Sequence, residues 1–175
     1  MSESSMTAYD ILNIDESDNL ATIEGNYVVL GYKNRRDKTH FKALAIAYLI
    51  VTTDRQNYND SLNDGLKYQK PRHIRECNPE IVYETVFNQV AIDVDALLND
   101  SKKTHLNGVV GALAGGVFGF IVAGPVGAIG GAFAGGAAGN IRDIHGKSPY
   151  EIFKTLDKKD KKKIIDAIIF LLSAF

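Results

Sequence analysis

Residues 33 to 38 read KNRRDK, four cations and one carboxylate between two apolar stretches with helical spacing. Guanidinium and ammonium groups recognise carboxylates and phosphates, so the chemistry on offer is electrostatic docking to an acidic partner. The alternative is a solvated connector. No other set of residues forms a reactive constellation. His40, His73, His105 and His145 lie far apart, with no cysteine or carboxylate at ligand spacing, so no metal site is expected. The glycine run at 108–139 lacks the G-K-[ST] ending of a phosphate loop. Asp93 and Asp95 fall on different sides of a helix, and Cys77 sits in a polar stretch as an inert surface thiol rather than a nucleophile. The expectation is a non-enzymatic protein with no cofactor.

The elements that must position the basic loop are helical. Thr7 can cap a turn through YDIL, and a longer helix is expected over 19 to 32 with Ile23, Tyr27, Leu30 and Val28 on one side. After the loop, FKALAIAYLIV repeats apolar residues at Phe41, Leu44, Ala45, Tyr48 and Leu49, and the polar DRQNYNDSLNDGL forms a fourth helix ending at Gly65. Residues 67–78, polar and carrying Pro71, read as a linker. Asn78-Pro79 pairs a cap with a first-turn proline. The stripe Tyr83, Val86, Phe87, Val90, Val94, Leu97 and Leu98 then predicts a helix to about 99. Ser148-Pro149 starts a short helix, and Asp157 caps a last one with Ile164, Ile165, Ile168, Leu172 and Phe175 on its apolar side. No strand pattern is present. The fold class is all-α: a domain over 1–66, a linker over 67–78 and a helical module over 79–175.

Residues 108–139 carry no charge and hold twelve of the sixteen glycines. Gly111, Gly115, Gly119, Ala123, Gly127, Gly131, Gly135 and Gly139 recur every four residues, placing small residues along one helix face where another backbone can approach. Pro125 falls midway and predicts a hairpin of two helices. Each half is shorter than the ~20 apolar residues a membrane span needs. The favoured reading is therefore a hairpin buried between its flanking helices; the alternatives are a hairpin in a bilayer and self-association through the glycine rows.

With a net charge of -1, bulk electrostatics give no signal for nucleic acid. Residues 1–20 carry Glu3, Asp10, Asp15, Glu16 and Asp18 and no base, while 142–163 are Lys-rich. That Lys run reads as a solvated helix start, with anionic lipid as the alternative. A single cysteine excludes an internal disulfide. The polar, acidic N-terminus is unlike a secretory or transit peptide. The expected location is cytosolic, with the nucleus or a membrane periphery as alternatives.

The ordered set AYDILNID, IEGNYVVLGYKNRRDK, FKALAIAYLIV and Arg55-x-x-Tyr58 resembles a J-domain over about residues 7 to 62. Tyr9, Leu12, Ile23, Tyr27, Leu30, Phe41, Ala47, Tyr48 and Tyr58 fall at the family's places. Arg35-Arg36-Asp37 stands where the family has His-Pro-Asp, so Asp37 and the following Lys38 persist while the histidine and proline do not. In the family that tripeptide docks on the heat-shock-seventy chaperone and triggers its ATP hydrolysis. The resemblance also implies a basic docking face on the second helix, where this chain offers Glu24, Asn26, Val28 and Val29 before Lys33. More loosely, the glycine run followed by IRDIHGKSPYEIF, with Arg142-Asp143 and Gly146-Lys147-Ser148, resembles the C-terminal region of some fungal J-domain proteins. The resemblance implies a non-stimulating regulator or adaptor of that chaperone system, contacting the chaperone, another J-domain protein or a client through Arg35, Arg36, Asp37 and Lys38. The alternatives are a membrane-associated adaptor anchored by the glycine hairpin and a co-chaperone that still stimulates ATP turnover through Asp37.

Overall fold

The computed structural model describes residues 6–101 and 147–172, the side chains of 92–101, 167 and 170–172 apart. The described residues form eight helices and no strand, an all-α architecture. The glycine hairpin, with Gly111, Gly115, Gly119, Gly127, Gly131, Gly135 and Gly139, lies outside the described residues.

The first compact unit runs through Thr85. It opens with α1 (Ala8–Leu12), started by a reciprocal capping box: Thr7 Oγ1 accepts from the Asp10 N–H, and the Asp10 carboxylate accepts from the Thr7 N–H at 2.8 Å. Asn13, left-handed at φ 52°, closes the turn. Asn19 caps α2 (Leu20–Asn34) by accepting from the Thr22 N–H. The turn Arg35–Asp37 leads directly into α3 (Lys38–Thr53). The short connection makes α2 and α3 an antiparallel hairpin. In it Tyr27 stacks on Tyr48 with ring centroids 4.7 Å apart, and the Tyr48 hydroxyl donates to buried Glu24 at 3.3 Å. α3 is the centre of the unit, touching α1, α2, α4 (Arg55–Asn63) and α5 (Arg72–Arg75).

Arg55 and Tyr58 on α4 hold the start of the chain. The Tyr58 hydroxyl accepts from the Ala8 N–H at 2.8 Å, satisfying a buried first-turn donor. The Arg55 guanidinium donates to the Glu16 carbonyl and the Tyr9 hydroxyl and packs over the Tyr9 ring. The spaced arginine and tyrosine therefore staple α1 and the loop after it onto α4. Burial raises the pKa of the Tyr58 hydroxyl, and burial followed by the nearby Glu24 charge raises that of Tyr48.

The 67–78 segment, expected as a linker, contains α5, whose Ile74 is fully buried. Tyr68 donates to the Asp54 carboxylate at 2.5 Å and packs edge-on against Tyr58. The segment is thus bound to the helices it follows. A lone isoleucine among polar residues is enough to anchor one turn of helix, which is too short to show a period.

α6 (Pro79–Ser101) starts as Asn78-Pro79 predicts: Asn78 Oδ1 accepts from the Glu80 N–H at 3.0 Å. Its Val86 begins the second compact unit. There Phe87 packs on Phe153 at 4.6 Å and on Tyr150 at 5.4 Å, and the Asn88 side chain accepts from the Tyr150 N–H. Ser148 and Glu151 form a second capping box on α7 (Pro149–Thr155). Asp157 accepts from the Asp160 N–H at the start of α8 (Lys158–Leu172), whose Ile164, Ile165 and Ile168 are buried. Val94, Leu97, Leu98, Leu172 and Phe175 of the expected stripes lie outside the described side chains.

Candidate functional site

The basic loop is a tight turn whose one carboxylate works for the backbone. Asp37, extended at φ -90° and ψ 96°, is the N-cap of α3: its Oδ1 accepts from the Thr39 and His40 N–H groups, each at 3.0 Å. Its own N–H donates to the Asn34 carbonyl at 2.9 Å. Asp37 therefore ends one helix and starts the next, and it satisfies two of α3's orphan donors. Lys38 is the first residue of α3 rather than part of the turn.

Arg35, Arg36, Asp37 and Lys38 are all exposed. The Arg35 guanidinium lies 4.9 Å from the centroid of the Tyr32 ring, which holds it against the end of α2. Neither Arg36 nor Lys38 forms an ion pair among the described residues. The turn is thus a positive surface with one guanidinium pre-positioned and the rest free to meet an anion. No cluster of three or more metal-ligating side chains occurs among the described residues.

The second-helix face differs from the expectation. Glu24, Val28 and Val29 are buried, not presented to a partner, and half-buried Asn26 donates to the Asn13 carbonyl. Part of that side of α2 is taken by α6. Tyr83 reaches across to donate its hydroxyl to the Val28 carbonyl at 2.9 Å, and its ring lies 5.5 Å from that of Phe41. A Cβ added at Gly31 would sit 2.5 Å from Tyr83 Cε2, so glycine is required there for the ring to fit. Gly31 and Phe41 each stand about one turn from the basic loop, on either side of it. Tyr83 therefore packs against both stems of the candidate site. The sequence places Tyr83 correctly in an apolar stripe, but nothing local to it says that it belongs to the α2–α3 pair.

Further exposed cations lie on α3 and α5. Lys42, one turn beyond Lys38 on α3, is exposed, as are Arg72 and Arg75 on α5. Arg72 pairs with Glu76 at 2.8 Å on the surface. α5 meets α3 at the end away from the loop, where His73 Nε2 lies 3.3 Å from the hydroxyl of Thr53, the last residue of α3. Burial raises the pKa of the Cys77 thiol, and the nearby Lys42 charge opposes that rise.

Of the residues that carry the resemblance, Tyr9, Leu12, Ile23, Tyr27, Phe41, Ala47, Tyr48 and Tyr58 are buried, and Leu30 is partly so. The chain is 33% identical over 95 residues to an uncharacterised J domain-containing protein of Schizosaccharomyces pombe, covering 52% of this chain and 42% of that protein. It thus spans less than half the length of the curated relative it matches. This likeness supports a J-domain protein. No protein-family model matches the chain, and no solved structure matches it. Among the described residues, no helix is long and apolar enough to cross a membrane.

Proposed function

We propose that the chain is a J-domain-type protein of the heat-shock-seventy chaperone system that contacts its partner without triggering ATP hydrolysis, as a regulator or adaptor. The observation that carries this reading is the turn itself. The residues that carry the J-domain resemblance are buried around a turn whose Asp37 carboxylate caps α3, and in the resemblance Arg35-Arg36 stands where the family has His-Pro. The cap keeps the turn folded, and the exposed arginines retain the means to meet an acidic surface. A proline before Asp37 would fix the turn's backbone, and a histidine would add an uncharged donor; both are missing here.

Single-turnover ATP hydrolysis by a cytosolic heat-shock-seventy chaperone tests the reading. The wild-type chain is expected to leave the rate at its basal value, while an Arg35→His/Arg36→Pro version raises it. Acceleration by the wild type would replace this reading with that of an active co-chaperone in which Asp37 suffices.

A further inference from the structure

We infer that the solvent side of the first turns of α8 is a docking patch for an anionic lipid surface, to which its lysines hold the chain peripherally. The patch lies in the second compact unit and uses no residue of the basic loop, so it is independent of the chaperone reading.

Residues 154–163 carry six lysines against Asp157 and Asp160, and no arginine. Ile164, Ile165 and Ile168 bury one side of α8, and that burial fixes which lysines face solvent. Lys158 with Lys162, and Lys159 with Lys163, stand four residues apart, so they form two adjacent rows. All four are exposed. One helix therefore joins the four ammonium groups into a single patch. Half-buried Lys161 is outside it and donates instead to the Lys154 carbonyl near the end of α7, at 2.8 Å.

The charges stand where the fold disfavours them. Like charges at i, i+4 repel, and Lys158 and Lys159 occupy the first turn of α8, where the peptide dipoles oppose a cation. The Asp157 carboxylate is taken by the Asp160 N–H, while Asp160 and Asp166 meet Lys163 and Lys162 at 2.7 and 3.2 Å. Such surface pairs are weak, so anionic headgroups can exchange with the aspartates. Lys158 and Lys159 form no ion pair among the described residues. Repulsion within the helix turns into attraction once an anionic surface lies across it.

The side-chain chemistry decides among anionic partners. An ammonium is a compact point charge without the fork that matches one carboxylate or phosphate. Several of them on one helix face suit the diffuse negative potential of a lipid leaflet. Ile169, exposed, follows Lys162 by seven residues on the same side of α8, and cations beside an apolar side chain are what an interfacial helix presents. Single-stranded nucleic acid needs open aromatic faces on which bases stack. The Tyr150 and Phe153 rings of α7 are instead approached by the Lys154 and Lys161 ammonium groups, at 4.9 and 6.0 Å from their centroids.

Co-sedimentation of the full chain with lipid vesicles tests the inference. The chain is expected to bind phosphatidylserine-rich vesicles, to ignore pure phosphatidylcholine vesicles, and to dissociate as salt is raised. Lys158→Gln/Lys159→Gln leaves the two ion pairs in place and should weaken vesicle binding about tenfold or more. Lys67→Gln/Lys70→Gln removes the same charge from exposed positions in the first unit and should leave binding unchanged. Circular dichroism checks that both variants fold. Absence of binding to phosphatidylserine-rich vesicles at low salt overturns the inference. So does an equal loss in the two variants, or binding that Lys158→Gln/Lys159→Gln does not weaken. Tighter binding to oligothymidylate or to a glutamate-rich peptide than to the vesicles overturns it as well.

Discussion

Gly31→Ala measures how firmly α6 is seated on the α2–α3 hairpin. Alanine in the middle of a helix gains about 1 kcal/mol over glycine, so in open space the change would stabilise α2. Here the new methyl would lie 2.5 Å and 2.7 Å from Tyr83 Cε2 and Cδ2, and 3.4 Å from Phe41 Cε2. The Tyr83 ring is 3% exposed, and its hydroxyl is tied to the Val28 carbonyl, so it cannot swing aside without losing that bond. Overpacking of this kind costs about 1–3 kcal/mol, which cancels or exceeds the propensity gain. The net effect expected is a destabilisation of about 0–2 kcal/mol, the difference of those two figures. Tyr83→Ala alone should destabilise by about 3–5 kcal/mol, as for other buried aromatic truncations. In that background the obstruction is gone, and Gly31→Ala should stabilise by about 1 kcal/mol. Urea unfolding of the four proteins, followed by circular dichroism in the helix band, yields a coupling energy expected at about 1–3 kcal/mol. Equal stabilisation by Gly31→Ala with and without Tyr83 would refute the packing argument.

Asp37→Ala should destabilise the chain by about 1 kcal/mol through loss of the α3 cap, while Asp37→Asn, a comparable cap, should change stability little. Urea midpoints check both, and Asp37→Asn then isolates the carboxylate's charge from its structural part. Arg55→Ala removes charged hydrogen bonds to the Glu16 carbonyl and Tyr9 hydroxyl, with an expected loss of about 1.5–3 kcal/mol in the same assay. The Asp10 pKa is lowered by its side-chain bond to Thr7 and then by the Thr7 backbone bond. A depressed carboxylate stabilises the fold above its unfolded pKa and loses that contribution as pH falls through the folded value. Asp10→Asn should therefore be less stable than wild type at neutral pH, and the gap should close in acid unfolding below about pH 4. The buried Tyr48 and Tyr58 hydroxyls have raised pKa values, so their contribution is complete below the unfolded value of about 10 and is lost as pH rises beyond it. Spectrophotometric titration should show a fraction of the tyrosines ionising above the ordinary phenol range. Ionisation of all of them in one ordinary step would contradict that burial.

Helix starts were legible in the sequence because they are made by neighbours. Thr7, Asn78 with Pro79, Ser148 with Pro149, and Asp157 each lie within a few residues of the first-turn donors they satisfy, and each cap is present. Asp37 belongs to the same class. An Asx residue just before an apolar-periodic run is a cap signal. The buried side of α2 was not legible. Val28, Val29 and Leu30 are consecutive apolar residues, so periodicity leaves more than one face available to the core. The choice is made by Tyr83, 55 residues away from the Val28 carbonyl it binds. For the same reason Glu24 read as solvent-facing, although the Tyr48 hydroxyl meets it inside. α5 escaped because one turn with a single buried side chain has no repeat to detect. The loop cations were plain in the sequence.

The most direct measurement is the rate of ATP hydrolysis by a heat-shock-seventy chaperone driven by an active J-domain protein, as increasing amounts of this chain are added. A chain that meets the partner without triggering it should bring the rate down toward the basal value, and Arg35→Glu/Arg36→Glu should fail to do so. A rate unchanged at saturating chain, or raised by the chain alone, would contradict the reading of this protein as a non-stimulating J-type regulator.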